Sequence, residues 1–510
     1  MDNSKEGLDN SKWISTSIIS IGVFIVFLDI SIVNIVLPKM ISSLDTDIYG
    51  IQWVVISYLI SGAIGMNTVA WMGAAIGHKN TFIVGLLLFT VSSALCGQAR
   101  NIEMMVFFRF LQGLGEGIVA PIGMTILFRL FPPEEKGMAM GIFASACCLA
   151  PAMGPTIGGI LTEHFNWRWV FYVNVPIGVM GIALSLFFLR ETKSEEEKPW
   201  PFDILGFALI VVCFMSLITF LSKGQEKGWL QSDYIVILIA VFVVSFILMI
   251  IVELNMENPL VDLRIFRFNT CSLSFIACLI YCWNFYGTIF IMPLYLQQIK
   301  LYPTLTAGVT LLPGALIEGC SMVMAGLLAD RYGCKKPLLF GLIGSAVGSY
   351  LLFSFDFYTP QAKIIGYYSI YCFLTGFVPP VVSITILLEL SEAQTNQGSI
   401  ALNVSRLAGG AIGTALIATV LGRRTDTYFE ALGTRINSGN VGAMNVLGKM
   451  TLFLQSRGIP GVLAKQRALM LLNYHTLAKG LSYAFQSAFI WMGIWALMAA
   501  AVAIFIREKR

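Results

Sequence analysis

Five charged side chains stand inside long apolar runs of this chain: Asp29, Arg109, Glu116, Glu318 and Arg406. An ionisable residue at membrane depth costs at least about 2.5 kcal/mol on insertion scales, so those that are kept usually face a bundle interior or a watery cavity and do something there. Asp29 lies in Phe24-Ile25-Val26-Phe27-Leu28-Asp29-Ile30-Ser31-Ile32-Val33-Asn34-Ile35-Val36-Leu37-Pro38, near the middle of an apolar run that begins at Ile14. It is too short and too central to snorkel, so the chemistry open to it is binding and releasing a proton. Arg109 and Glu116 are seven residues apart, which puts them on one helix face about two turns from each other. A buried guanidinium needs a partner. Glu116, a carboxylate on another helix such as Asp29, or freed backbone carbonyls could each supply it, and a purely structural ion pair is the plainer alternative. Glu318 and Arg406 could line a cavity for a cationic compound or pair with each other; Asn34, the amide of the first run, is counted with the cavity.

The elements that must position these groups are membrane spans. The 510 residues are 57% hydrophobic and only 12% charged, with a mean hydropathy of +0.78, too apolar for a soluble protein. Apolar stretches of about 18 or more residues, separated by charged or turn-rich breaks, predict fourteen membrane-spanning helices. An even count puts both termini on one side. Lys and Arg number 16 on that side and 7 on the other, leaving out Arg109, Arg406 and the segment 421–483, so both termini are expected in the cytoplasm. Segment 421–483 reads as a long outer loop and carries eight more basic residues, which a loop of that length tolerates. A first run with no small-residue cleavage site after it is expected to be retained.

Sliding the chain against itself by about 255 residues aligns Pro38 with Pro293, Gly77 with Gly333, and Gly154 and Gly158 with Gly409 and Gly413. The expected organisation is an N-terminal six-helix bundle at 1–198, an inserted helix pair at 199–257 and a C-terminal six-helix bundle at 258–510. Glu191 to Pro199 reads as a polar tether. Gly113, Gly115 and Gly117 superficially suggest a phosphate loop, but in a membrane helix they serve close helix contact. The ten cysteines form no CxxC or Cys/His metal spacing, and no cofactor or metal is expected. Without a basic cluster, nucleic acid is not an expected partner.

Gly154-Pro155-Thr156-Ile157-Gly158 combines a proline with Gly-x-x-x-Gly spacing, suited to a kinked and closely packed helix. Gly326-Leu327-Leu328-Ala329-Asp330-Arg331-Tyr332-Gly333-Cys334-Lys335-Lys336 is a tight charged turn between two spans. Together with the Asp29 stretch, Arg109 to Gly117 and the fourteen spans, this resembles the EmrB/QacA-type drug:proton antiporter branch of the major facilitator superfamily, over nearly the whole chain. The resemblance implies proton coupling through Asp29 and Arg109, an exporter signature at Gly154 and Pro155, and gating by the turn with Asp330, Arg331 and Gly333. One departure stands out. The first-half copy of the turn has Ala74 and Ala75 where the pattern has Asp and Arg, so its charge latch is missing.

The nearest approach to an ATP-binding loop, Gly442 to Met450, has one residue too many and lacks the Ser or Thr that binds magnesium. The expected function is therefore ion-driven: export of lipophilic or cationic small molecules across the cytoplasmic membrane, with protons as counter-substrate and no enzymatic activity. A dedicated exporter of one metabolite, such as a siderophore or fatty acid, is the alternative in the same class, and a non-transporting scaffold or receptor the alternative in another. Val462 to Leu472 could form a helix able to dock a periplasmic adaptor, or pack on the transporter itself.

Overall fold

A computed structural model describes residues 2–46, 48–192, 201–256, 259–391, 394–433 and 441–506. The described residues contain no strand. In chain order the helices are α1 (Asp2–Ser43), α2 (Ile48–Ile51), α3 (Trp53–Ile76), α4 (His78–Gln98), α5 (Ile102–Leu130), α6 (Lys136–His164), α7 (Trp169–Tyr172), α8 (Asn174–Phe188) and α9 (Ile204–Lys227). They continue as α10 (Asp233–Asn255), α11 (Asn269–Gln298), α12 (Thr304–Tyr332), α13 (Lys335–Phe353), α14 (Gln361–Thr375), α15 (Val378–Leu387), α16 (Thr395–Gly433), α17 (Val441–Ser456) and α18 (Gly461–Ile504). Fourteen segments among the described residues are long and apolar enough to span a bilayer. With no water in the bilayer core to satisfy backbone groups, such runs close their hydrogen bonds internally as helices.

The helix ends follow local rules. The side chain of Asn101 caps α5 by accepting from Met104 N at 2.9 Å, and Gly228 ends α9 in the left-handed region. One bundle is built from α1, α3, α4, α5, α6 and α8, the other from α11 to α16 and α18, with α14 and α15 making one crossing. Between them α9 lies on α3 and α16, while its hairpin partner α10 faces outward: only 17% of its most apolar window is buried, so a mean hydropathy of 3.6 there serves lipid contact.

The bundles meet mainly where α6 lies along α12 and α16 along α3 and α5. The α6–α12 seam is tight because glycines remove the side chains: a methyl group on Gly141 would sit 2.7 Å from the carbonyl oxygen of Met322. Hydrogen bonds that cross between the bundles are Gly137 and Met138 to Asp330, Ser145 Oγ to the Gly319 carbonyl, Thr125 Oγ1 to Ser399 Oγ, and Asn396 Nδ2 to His78 Nε2. They lie in the half of the bundle that carries the chain ends.

Segment 421–483, expected as a long outer loop, is largely helical. Residues up to Gly433 continue α16, α17 follows, and α18 starts at Gly461, well before its apolar span at Ala478. Charges interrupt the apolar pattern there, but a helix leaving the membrane can continue where another helix covers it, as α17 and α18 do for each other.

Candidate functional site

Asp29, about two-thirds of the way along α1, is completely buried and forms an ion pair with Nη1 of Arg109 on α5, itself 1% exposed. The pair is held from four helices. Gln112, one turn after Arg109, accepts from Arg109 Nη1 at 2.9 Å and donates Nε2–H to Asp29 Oδ1 at 3.0 Å. Asn174, the first residue of α8, donates to the same oxygen at 2.7 Å and to Ser93 Oγ of α4 at 3.1 Å. Arg109 Nε donates to the Val54 carbonyl of α3 at 3.2 Å, and the guanidinium lies over the Tyr58 ring with 4.0 Å to its centroid. Arg109, Gln112 and Asn174 all donate to the Asp29 carboxyl, and the ring face adds a cation–π contact for Arg109. A buried pair of this kind is fragile to single changes: removing one partner strands the other at a cost of about 3–5 kcal/mol.

Of the partners open to Arg109, the structure selects Asp29 and a carbonyl rather than Glu116. Glu116 does share the face of Arg109, since its carboxylate lies against Gly62 on the same helix α3 whose Val54 carbonyl Arg109 uses. It is 5% exposed and has no hydrogen bond or ion pair among the described residues. The glycines around it set helix spacing: methyl groups on Gly115 and Gly117 would meet the backbone of Phe89 on α4 and of Met66 on α3 within 3 Å.

Glu318 on α12 is 6% exposed and accepts from Thr375 Oγ1 at 3.1 Å. Its neighbour Gly319 faces Leu149 of α6, so this carboxylate sits on the seam between the bundles. Arg406 on α16 donates to Ser383 Oγ at 2.9 Å; no ion pair joins it to Glu318. Nearby, Asn284, Thr288 and Tyr371 form a closed polar cluster, with Tyr371 Oη donating to Asn284 Oδ1 at 2.7 Å. Asn34 is exposed on α1 and makes no hydrogen bond with a described residue.

Gly154 and Gly158 are buried on α6, and Gly154 lies against Ser31 and Ile32 of α1, two and three residues beyond Asp29. Ser31 Oγ donates to the Pro151 carbonyl at 2.7 Å, which ties the kinked helix to the one carrying the carboxylate. Pro155 is helical, with its side chain outside the described residues. At the end with the chain termini, Gly333 closes α12 with φ +83°, and Asp330 one turn earlier accepts from Gly137 N at 2.7 Å and Met138 N at 3.0 Å, at the start of α6. Arg331 does not join this contact; it is exposed and packs over Tyr332.

Sequence reasoning missed Gln112, Asn174, Ser93 and Tyr58. Gln112 carried a signal, one turn from Arg109 in an apolar helix, whereas Asn174 lies among the aromatic residues Trp167, Trp169, Phe171 and Tyr172 with nothing in the sequence to set it apart. It also missed the pair His78 and Asn396. His78, the residue after Gly77, is fully buried; its Nε2 faces Asn396 Nδ2 at 3.1 Å, its Nδ1 faces Thr192 Oγ1 at 3.1 Å, and its backbone N–H donates to Glu191 Oε1 at 2.8 Å.

Residues 19–414 match the sequence profile of the Major Facilitator Superfamily. The multidrug export protein EmrB of Escherichia coli is 28% identical over 445 residues, 86% of this chain and 85% of that protein. The tetracenomycin C resistance and export protein of Streptomyces glaucescens is 29% identical over 98% of this chain and 93% of its own length. A crystal structure of the human organic anion transporter MFSD10 superposes with a TM-score of 0.62 at 12% identity, covering 96% of this chain and 99% of that one.

Proposed function

The chain belongs to the major facilitator superfamily, and from that premise we propose that it is a multidrug exporter in which proton movement through Asp29 drives efflux of lipophilic or cationic compounds. The observation that carries this reading is the buried Asp29–Arg109 pair, a titratable group with its counter-charge in contact at membrane depth. Relatives about as similar as EmrB include the tetracenomycin C resistance and export protein and the multidrug resistance protein Stp of Mycobacterium tuberculosis, names that support the substrate class. The frame is two bundles, 1–198 and 258–510, rocking about a central site, with 199–257 inserted and both termini on the cytoplasmic side of the cell's inner membrane.

In this mechanism the contacts between the bundles close the cytoplasmic end, so the transporter faces outward. A proton arriving on Asp29 cancels the charge that holds Arg109, frees Gln112 and Asn174 and loosens α1 against α5 and α8. Release of the proton inward restores the pair. Each proton crossing 100 mV brings about 2.3 kcal/mol, comparable with the contacts that must be exchanged. Glu116 takes part as a second proton site, and Glu318, Arg406 and Asn34 face the substrate. Gly154, Pro155 and Gly158 give α6 its moving contact with α1, and Asp330 latches the closed end beside Arg331 and Gly333.

The test is efflux by the protein reconstituted in proteoliposomes with a trapped pH dye. The wild type should move protons when a cationic drug is added and should stop under an uncoupler. Asp29→Asn should abolish gradient-driven efflux, and Asp29→Asn with Arg109→Gln, which strands no charge, should fold like the wild type and stay uncoupled. Unchanged efflux in both would remove Asp29 from the mechanism. A dedicated exporter of one metabolite is the second reading, favoured by the single compound in the tetracenomycin C export protein's name; a compound panel separates the two. Docking of an adaptor on α17 and α18 is a further expectation of the export reading.

A further inference from the structure

Two carboxylates outside the site described above press together at the foot of the inserted helices. Asp203, immediately before α9, is 6% exposed, and Glu253, in the last turn of α10, is 1% exposed. One oxygen of each is accounted for: Asp203 Oδ1 accepts from Gly206 N at 2.9 Å and Glu253 Oε2 from Val261 N at 3.2 Å. The other two, Asp203 Oδ2 and Glu253 Oε1, are buried without a hydrogen-bond partner, and both lie within 3 Å of where a Cβ on Gly206 would stand. A side chain at that position would fill the space between them.

Among the described residues, the charged groups around the pair are few. Asp262 and Arg264 come from the segment after α10; Asp262 turns its carboxylate to Arg264 N, and the Arg264 guanidinium is occupied by the carbonyls of Met256 and Leu254. Helix α3 carries no charged residue, and α16 none before Arg406. Two adjacent buried carboxylates cannot both stay ionised without a cation, because repulsion adds to the loss of hydration. A hard metal ion would need about six oxygen ligands, whereas a proton needs two. We propose that Asp203 and Glu253 form a proton-binding site in which one proton is shared between Asp203 Oδ2 and Glu253 Oε1.

The site is wired to the closed end of the bundle. Glu253 holds Val261, and the flanking residues hold α16: Gln397 Oε1 accepts from Asp262 N at 3.2 Å and Gln397 Nε2 donates to the Leu260 carbonyl at 3.1 Å. Gln397 follows Asn396, which bonds His78 across the bundles. Loss of the shared proton would separate the carboxylates, release Val261 and loosen the start of α16, so cytoplasmic alkalinity would open the gate. The proton site stands on its own geometry; only its effect on transport rests on the export reading.

Infrared difference spectroscopy of the purified full-length protein in lipid discs reads the site without any transport. The wild type should show a protonated carboxyl band at neutral pH that disappears in both Asp203→Asn and Glu253→Gln, each of which keeps a hydrogen bond across the pair. Hydrogen exchange at residues 260–262 should speed up as pH rises in the wild type and stay flat in the variants. A band unchanged in both variants, or exchange with the same pH profile in all three proteins, would overturn the proposal. So would stoichiometric binding of Na⁺ or Mg²⁺ to the wild type that the variants lack, which would make this a cation site.

Discussion

The two turns that follow α3 and α12 share a backbone and differ in chemistry. Gly77 and Gly333 both end their helices in the left-handed region, at φ +85° and +83°, and each donates its N–H to the carbonyl four residues back. In the second half the turn carries Asp330, whose two oxygens meet the first N–H groups of α6, a negative charge at the positive end of a helix. In the first half Ala74 replaces that carboxylate, and the cross-bundle bond comes from His78 to Asn396 at the start of α16. A glycine is required wherever the turn needs positive φ, but the bond between bundles can be made by any polar group that reaches. One seam is held by a carboxylate and the other by an imidazole and an amide.

The largest effect should come from breaking the charged latch. Asp330→Asn would replace one accepting oxygen with a donor against Gly137 or Met138. Two charge-assisted bonds at about 1.5–3 kcal/mol each, less what water recovers, suggest a loss of about 3 kcal/mol, or roughly 100-fold in the population of the closed end. Hydrogen exchange at the amides of Gly137 and Met138 should rise by that factor and efflux should fall. The imidazole latch should weigh less. His78→Ala removes the bond to Asn396, about 1 kcal/mol, along with the one to Thr192, and only the first reaches α16, so exchange in the first turn of α16 should rise only about five-fold, and His78→Gln should recover part of it. Equal effects at the two seams would erase the distinction between them.

How far these features could be read in advance depends on what distinguishes them chemically. The spans were legible because a bilayer demands about 20 apolar residues per crossing, and Asp29 and Arg109 because charges in such runs are scarce. Their pairing was left open among several partners, since it depends on how α1 crosses α5, which no local pattern encodes. Asn174 and Ser93 were invisible for the opposite reason: neutral polar residues are common in membrane helices, and Gln112 stood out only by lying one turn from Arg109. His78 and Asn396, separated by 318 residues, meet only because α4 and α16 come together at the closed end. The helices within 421–483 were hidden because they leave the apolar pattern and are supported by each other rather than by lipid.

The smallest expected difference separates the two glycines themselves. Replacing either Gly77 or Gly333 with alanine forces a side chain into the left-handed region, costing about 1 kcal/mol at both sites if backbone strain were the whole effect. At Gly77, however, the added methyl would also run into the Glu191 carboxyl, whose carbon lies 2.8 Å from that position. Glu191 is the acceptor for the His78 backbone N–H, so moving it disturbs the latch to Asn396 as well. Thermal unfolding of the two variants should therefore show Gly77→Ala the less stable, by an amount that shrinks when Glu191→Ala is introduced beside it. If the two glycine variants melt together with Glu191 in place, the first-half turn does not hold its latch through that carboxylate.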